Sequence, residues 1–296
     1  MKNVICSKVL WRGLLLFLVL TSSVGLAEKA NVNMKQMENE QLIELFASPK
    51  YKDGSKALDE ILNRIAKSNY DEHSELAKLL FHYWRESDNE KIRSRCFQGL
   101  RWTKSQAVVD VLTSQLLHGS TRAERRRAAW YLRQIASATA VPALEAAVRA
   151  DKGGGFVEGR TIAQYSIIAL GLTGGPAVPV LIKIWNDESL RVGCECGLLA
   201  AMGYTGDVRV VPILVKALNS KDESIRSSAA AALGIIGNKK MVFGKKREHL
   251  NAPDKRTLRS ILLRLKQRQN DPNESVRENV LEAINKIEKR IQGKSR

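Results

Sequence analysis

Residues Val208 to Gly237 read VRVVPILVKALNSKDESIRSSAAAALGIIG and form one complete repeat of two helices. Pro212 suits the first turn of a helix, because its φ is fixed at a helical value and its missing N–H is not needed there. Apolar residues then recur three and four apart, which predicts a helix with one buried face. A polar turn separates this helix from a second one that begins near Arg226. Three residues share one face of the second helix, at offsets of three, four and seven from the arginine: Ala229, Ala230 and Leu233.

Weaker copies of this repeat recur about every 31 to 37 residues. Three kinds of marker keep the period: prolines that open a helix, glycines that are expected to close one, and arginines that begin the second helix. They are Pro142, Pro179 and Pro212; Gly171, Gly203 and Gly234; and Arg93, Arg125, Arg191, Arg226 and Arg277. A period of this length is typical of a stacked solenoid. We therefore predict an all-α protein, an α-solenoid or superhelix of stacked antiparallel helix pairs.

The offsets of three, four and seven also follow the other arginines, with two irregular units. One is the unit near Arg160, which contains the glycine-rich insertion 151–155, and the other is the unit of Arg191; the register of both is open by one helical turn. The offsets give Cys96, Phe97 and Leu100 after Arg93; Ala128, Ala129 and Leu132 after Arg125; and Val280, Leu281 and Ile284 after Arg277. We expect these residues to be buried. The unit of Arg191 reaches its glycine, Gly203, about one helical turn late.

The sequence also predicts where the repeats lie. Residues 1–27 are expected to be a signal peptide, 28–69 an N-terminal helical cap, and 70–296 the repeats, with a basic insertion at 238–253.

The opening proline, acidic turn, arginine, paired alanines and Leu-Gly-x-x-Gly ending resemble the HEAT repeat. More narrowly, the pattern is similar to the short HEAT-like repeat named after phycobilisome lyases. The resemblance implies a curved, two-layer solenoid whose inner helices form a binding surface on its concave side. It implies little about chemistry, because repeat scaffolds carry many unrelated functions.

The N-terminus has the three parts of a secretory signal peptide. Lys2, Lys8 and Arg12 precede a short apolar core, residues 13–20, and small residues follow at Gly25 and Ala27. An uncleaved membrane anchor is the alternative, but the apolar run is shorter than the roughly 20 residues of a spanning helix. We expect cleavage after Ala27, no transmembrane segment in the mature chain, and a periplasmic or secreted protein.

The chain is strongly basic, with a formal net charge of +17, or +14 without the signal peptide. Such an excess attracts polyanions, or it keeps an exported protein in solution. If the protein is exported, the anionic candidates are glycans, lipid head groups or an acidic protein, and nucleic acid is not expected as a partner. A protein partner is the leading expectation.

Five arginines are candidate binding residues: Arg95, Arg101, Arg126, Arg127 and Arg133. Arg95 and Arg127 are 32 residues apart, as are Arg101 and Arg133, so stacking is expected to align them as a ridge. The arginines that mark the repeat itself (Arg93, Arg125, Arg191, Arg226 and Arg277) are expected to serve structure, because repeat-periodic residues usually do.

A second basic cluster lies in the insertion and comprises Lys239, Lys240, Lys245, Lys246 and Arg247. A loop that interrupts a repeat often carries function, although a run of charges in a loop is more commonly only solvated.

Three cysteines remain after signal cleavage: Cys96, Cys194 and Cys196. Cys96 and Cys194 occupy the small-residue position three after a repeat arginine, so both are expected in the core. Cys194 and Cys196 point apart on a helix, which makes a disulfide between them implausible.

No catalytic constellation is present in the sequence. The four histidines are isolated, there is no His-Glu-x-x-His or Cys-x-x-Cys, and we expect neither a metal nor a cofactor. The His-Glu pairs of di-iron hydroxylases that share this repeat type are missing as well.

The sequence therefore favours an exported, non-enzymatic HEAT-repeat protein that acts as a scaffold or adaptor for protein partners. The first alternative is a binder of anionic polymer or lipid surface through the arginine ridge. The second is a lyase or oxidoreductase related to HEAT-like repeat enzymes.

The signal peptide gives the first testable prediction. N-terminal sequencing of the exported protein should begin at Glu28, because Gly25 and Ala27 supply the two small residues that signal peptidase recognises. An intact Met1 on the exported chain would contradict cleavage.

Overall fold

The computed structural model describes residues 34–47, 54–67, 75–103, 105–151, 162–237 and 253–293. Every regular element within these ranges is a helix. None of the described helices is both long enough and apolar enough to cross a membrane. The predicted signal peptide and the basic cluster 239–247 lie outside the described residues. The chain divides after Thr103 into two compact units.

The first unit contains two helix pairs behind a short 3-10 turn, Met34–Gln36. The helices are α1 (Asn39–Ala47), α2 (Gly54–Lys67), α3 (Glu75–Glu86) and α4 (Glu90–Thr103). Helix α1 packs on α2 and α3 on α4, while α1 also contacts α3 and α2 contacts α4. Large apolar side chains such as Leu42, Ile61, Leu80 and Phe97 are buried between the two layers.

The second unit contains eleven of the described α-helices. They are α5 (Gln106–His118), α6 (Arg122–Ile135), α7 (Val141–Ala150), α8 (Ile162–Thr173), α9 (Val178–Asn186), α10 (Glu188–Arg191), α11 (Glu195–Thr205), α12 (Val211–Ala217), α13 (Glu223–Gly237), α14 (Lys255–Lys266) and α15 (Glu274–Ile291). We name α5, α7, α9, α12 and α14 the A helices, and α6, α8, α11, α13 and α15 the B helices.

Each A helix of the second unit packs on the B helix of its repeat, and the B helices pack on one another in chain order. This is the all-α solenoid of stacked helix pairs that the repeat predicts. The predicted order of signal peptide, cap and repeats stays a prediction.

The prolines act as expected. Pro142, Pro179 and Pro212 stand in the first turn of α7, α9 and α12, each after a 3-10 turn. Because proline lacks an N–H and fixes φ, it starts these helices at no cost in hydrogen bonds.

The marker glycines have a different role from the expected one. Gly171, Gly203 and Gly234 lie inside α8, α11 and α13 instead of closing them. A Cβ on Gly203 would lie 2.8 Å from the Cα of Ala232 in the next B helix, and one on Gly234 would lie 3.0 Å from the Cα of Ala283. These glycines are therefore needed for the close approach of neighbouring B helices.

The left-handed residue that ends a B helix comes three positions later. Gly174 and Gly206 have φ of 84° and 65°, and Ala136 holds the same place after α6 with φ of 55°. In the pairs Gly171/Gly174 and Gly203/Gly206, the first glycine packs against the next helix and the second one has the left-handed conformation that ends its own helix. Gly237, the second glycine of the third pair, is still part of α13.

The repeat arginines make one recurring hydrogen bond. The Nη1 atom of each donates to the carbonyl oxygen six residues earlier in the chain. The donor–acceptor distances are 2.7 Å for Arg93, 2.9 Å for Arg125, 3.2 Å for Arg191, 3.1 Å for Arg226 and 2.9 Å for Arg277. The bond ties the turn between the two helices to the start of the second, in agreement with the structural role expected for these arginines.

The repeat of Arg191 keeps this hydrogen bond, but its second helix is broken in two. Arg191 ends the short helix α10, the chain turns through Val192 and Gly193, and α11 restarts at Glu195. The extra helical turn in the sequence is thus accommodated by a break between α10 and α11. The prediction for Cys194 was wrong, because this residue precedes α11 at the break and is half-buried, whereas Cys96 is fully buried.

Leu281 was expected to be buried, but 48% of its surface is exposed. The equivalent residues Ala129 and Ala230 are buried, because a following B helix covers them. Helix α15 has no following B helix among the described residues. In this last repeat the position of Gly234 is taken by Asn285, which is exposed, as suits a solvent-facing end.

A buried ion pair joins the last two repeats. Arg226 donates from Nε and Nη2 to the two carboxylate oxygens of Asp271, both at 2.8 Å. The exposed fractions of the two side chains are 10% and 0%. The hydrogen bonds from Arg226 hold the pKa of Asp271 below its usual value. The carboxylate is therefore charged in the folded state at any pH above about 4.

The packing of Gly203 can be tested within one helix. Gly203→Ala should lower the free energy of unfolding by about 1 to 3 kcal/mol, because the new Cβ meets the backbone of Ala232. Gly197→Ala in the same helix meets nothing within 4 Å, so it should be neutral or stabilising by up to about 1 kcal/mol. Urea unfolding of both variants checks this, and equal effects would rule out the close approach.

The ion pair predicts a pH dependence. Asp271→Asn should destabilise the protein by about 3 kcal/mol near neutral pH, because it leaves the Arg226 charge without its partner. The pKa of Asp271 is lower in the folded protein than its unfolded value of about 3.9, so the ion pair contributes its full stability above that pH. The contribution is lost as the pH falls through the folded-state pKa. Thermal unfolding should therefore show a gap between wild type and variant that narrows below about pH 4. Glu278→Gln, at an exposed carboxylate, is the control and should lower the unfolding temperature near neutral pH much less than Asp271→Asn does.

Candidate binding surface

The B helices of the second unit present one side away from the A helices. In α13 the positions three, four and seven after Arg226 are buried toward the A layer. With 100° per residue, positions two, five and nine point the opposite way. Ser228, Ala231 and Ile235 occupy them and are all partly exposed.

The Gly-on-Ala contacts and helix register place equivalent residues on the other B helices. Three rows result, and together they define the B face. The first row is Arg127, Tyr165, Gly197, Ser228 and Asn279; the second is Trp130, Ile168, Ala200, Ala231 and Glu282; the third is Gln134, Leu172, Tyr204, Ile235 and Lys286. All fifteen residues are partly or fully exposed.

Charge is distributed along the B face from one end to the other. Arg126 and Arg127 are exposed on α6 at the first end. The positions that α8, α11 and α13 contribute to the three rows hold no charged residue. At the last end, Glu278 and Glu282 are exposed on α15, and Lys286 lies 2.6 Å from Glu282.

The uncharged middle of the B face carries several large apolar and aromatic side chains. Tyr165, Ile168, Leu172, Tyr204 and Ile235 are all partly accessible there. Beside them on α6 lies Trp130, 37% exposed. A contiguous apolar area with a polar rim is typical of an interaction surface.

The five candidate arginines divide between the units. Arg95 and Arg101 lie on α4 in the first unit, while Arg126, Arg127 and Arg133 lie on α6 in the second. The guanidinium of Arg95 lies over the ring of Phe46 at 5.8 Å, so part of its role is local packing. Arg101 and Arg133 are only partly exposed. Arg127 is exposed on the B face and Arg126 is exposed beside it, and the ridge across both units stays a prediction.

Arg290 is a structural residue that the sequence pattern does not reveal. It donates to the carbonyl of Ile236 at 2.8 Å and to that of Pro253 at 3.1 Å. Burial lowers the pKa of this guanidinium. It therefore links the end of α13 to the residues just before α14. Its role depends on tertiary contacts 37 and 54 residues apart in sequence, which no local pattern predicts.

The described residues contain no group of three or more His, Cys, Asp or Glu side chains placed to hold a metal ion. On the A side, a shallow open groove between α5 and α7 is lined by residues that include Asp110, Thr113, Leu117 and His118.

Two family models match the chain. Residues 53–156 match HEAT repeats, and residues 204–236 match the Armadillo/beta-catenin-like repeat. The resemblance to HEAT repeats is thereby confirmed. A search of curated protein sequences gives no match.

Solved structures of helical-repeat proteins are similar to this chain over most of its length. The CpcE–CpcF complex of phycocyanin lyase from Nostoc sp. is 19% identical, with 88% of this chain and 98% of that chain covered and a TM-score of 0.39. Human deoxyhypusine hydroxylase in complex with glycerol is 16% identical, with coverages of 86% and 97% and a TM-score of 0.32. A designed armadillo repeat protein in complex with the peptide (KR)4 is 15% identical, with coverages of 85% and 100% and a TM-score of 0.35.

Proposed function

We propose that this protein is an exported, non-enzymatic scaffold or adaptor that binds a protein partner on the B face of its second unit. The observation that carries the proposal is the apolar, uncharged middle of that face, between the charged residues of α6 and α15. Export is proposed from the N-terminal sequence, and the absence of chemistry from the lack of a catalytic pattern in the sequence.

A protein partner suits this surface better than a small molecule. The B face extends over five helices, a breadth that suits a protein surface better than a single small ligand. Half-exposed Tyr, Ile, Leu and Trp side chains contribute affinity when a partner excludes water from them. The close-packed B helices beneath hold these side chains in a fixed arrangement, which lowers the entropy cost of binding.

The proposal is tested by placing a charge in the middle of the B face. Ala200→Glu and Ala231→Glu should each abolish capture of the partner from an envelope extract, because a carboxylate there would be buried without a counter-charge. Leu117→Glu, on the A-side groove, is the matched control and should capture the partner as wild type does.

Circular dichroism and thermal unfolding must show that all three variants remain folded. If capture of the partner is lost only with Leu117→Glu, the binding site lies on the A side and the proposal is refuted.

A further inference from the structure

We propose that the outward side of α14 binds the surface of an anionic phospholipid bilayer. The residues that form this basic face are Arg256, Arg259, Ser260, Leu263 and Arg264. The basic face lies on an A helix, whereas the B face is formed by the B helices. The inference therefore goes beyond the proposed function and does not depend on it.

Helix α14 differs in charge from the other A helices of the second unit. Its 12 residues include five basic ones and no acidic one: Lys255, Arg256, Arg259, Arg264 and Lys266. The helices α5, α7, α9 and α12 together hold three Lys or Arg residues and two Asp or Glu residues. Among the A helices, the positive charge is therefore concentrated on α14.

The buried residues of α14 determine which side of the helix points outward. Three apolar side chains face the core: Leu258, Ile261 and Leu265. At about 100° per residue, Arg256 and Leu263 point in the opposite direction, and Arg259 lies about 50° to one side of them. Arg264 follows Leu263 on the other side. All four outward residues are exposed, and for Leu263 the exposed fraction is 59%.

The two arginines that flank Leu263 keep their charge unpaired. Lys266 forms a salt bridge to Glu288, with 2.9 Å between Nζ and Oε1. Neither Arg259 nor Arg264 forms an ion pair with a carboxylate in the part of the chain that the structure describes. Both guanidinium groups are therefore available to an external anion.

The third arginine of the basic face has a carboxylate nearby. Asp254 caps the start of α14 by accepting a hydrogen bond from the backbone N–H of Thr257 at 2.7 Å. The hydrogen bonds from Thr257, and then the charge of Arg256, lower the pKa of this carboxyl. The charge of Arg256 is thus partly offset, so Arg259 and Arg264 contribute most of the attraction for an anion.

An exposed leucine between two arginines suits a phospholipid surface. Guanidinium groups form paired hydrogen bonds with phosphate, and the phosphates of a fluid bilayer can move to meet arginines on both sides of one helix. The leucine side chain leaves water when it enters the boundary between head groups and acyl chains. A soluble polyanion supplies charge without an apolar layer, so it would leave Leu263 in water.

Bilayer binding through α14 is compatible with a protein partner on the B face. The A and B helices form separate layers, and the B face points away from the A helices. A second unit bound to lipid through α14 therefore leaves the B face open.

The test measures binding of the exported protein to three ligands. They are vesicles of equal parts phosphatidylglycerol and phosphatidylcholine, vesicles of phosphatidylcholine alone, and heparin. All variants are compared as the same processed chain, because an apolar signal peptide would itself enter lipid. Wild type should bind only the vesicles that contain phosphatidylglycerol, and added salt should weaken this binding because it screens exposed charges.

The first pair of variants tests the charge. Arg259→Gln/Arg264→Gln should lower the vesicle partition coefficient about 25-fold, at about fivefold for each base near an anionic surface. Arg126→Gln/Lys289→Gln removes the same charge from exposed residues of the B helices α6 and α15. This control should bind vesicles nearly as wild type does.

The second set of variants tests the leucine. Leu263→Ser should lower the partition coefficient about tenfold, because the apolar side chain no longer leaves water. Leu263→Trp should retain binding, since tryptophan is favoured at the membrane interface. Leu117→Ser, which changes an exposed leucine on α5, is the matched control and should bind as wild type does. Vesicle sedimentation measures binding, and circular dichroism verifies each fold.

Three outcomes would overturn the inference. Wild type that ignores phosphatidylglycerol would do so directly. Equal losses in the two double variants would assign the binding to net charge instead of the basic face. Heparin that competes with vesicles, together with full vesicle binding by Leu263→Ser, would identify the ligand as a polyanion. Ala200→Glu should still bind vesicles, so the proposed function and lipid binding are tested separately.

Discussion

The close approach of neighbouring B helices at the Gly-on-Ala contacts is the constraint on which the second unit depends. Because Gly171, Gly203 and Gly234 lack a Cβ, the backbone of the next helix lies against them. That contact fixes both the spacing and the register of the helices from α8 to α15. It follows that residues at equivalent positions of successive B helices line up in rows. The B face is a direct consequence of this packing, not of any long-range sequence signal.

The arginines fall into two populations, and burial separates them. Those that mark the repeat bond to a carbonyl six residues back and hold the turn between helices. In Arg226 the same side chain also pairs with Asp271, so it links two repeats. Arg126 and Arg127 project from the same stretch of helix as Arg125 but into solvent. Arg125 thus serves the fold, whereas Arg126 and Arg127 belong to the surface, because successive residues on a helix are 100° apart.

The proposed function follows from the uncharged middle of the B face. A solvated helix face in a protein with this much charge usually carries Lys, Arg, Asp or Glu, yet the three central B helices have none in the three rows. The strongly basic composition is therefore distributed elsewhere on the surface. Net charge alone pointed to a polyanion, whereas the uncharged middle of this face favours a protein partner.

The sequence by itself determined the all-α repeat fold, the helix-opening prolines and the structural role of the repeat arginines, because each depends on residues within one repeat. It also located the extra turn after Arg191. It could not determine that Gly203 packs against Ala232, that Cys194 lies at a helix break, or that Leu281 is exposed. Those outcomes depend on which helix lies next to which, and hence on contacts between residues far apart in the chain. The B face, and with it the candidate site, is made only when such contacts align five helices that no local pattern connects.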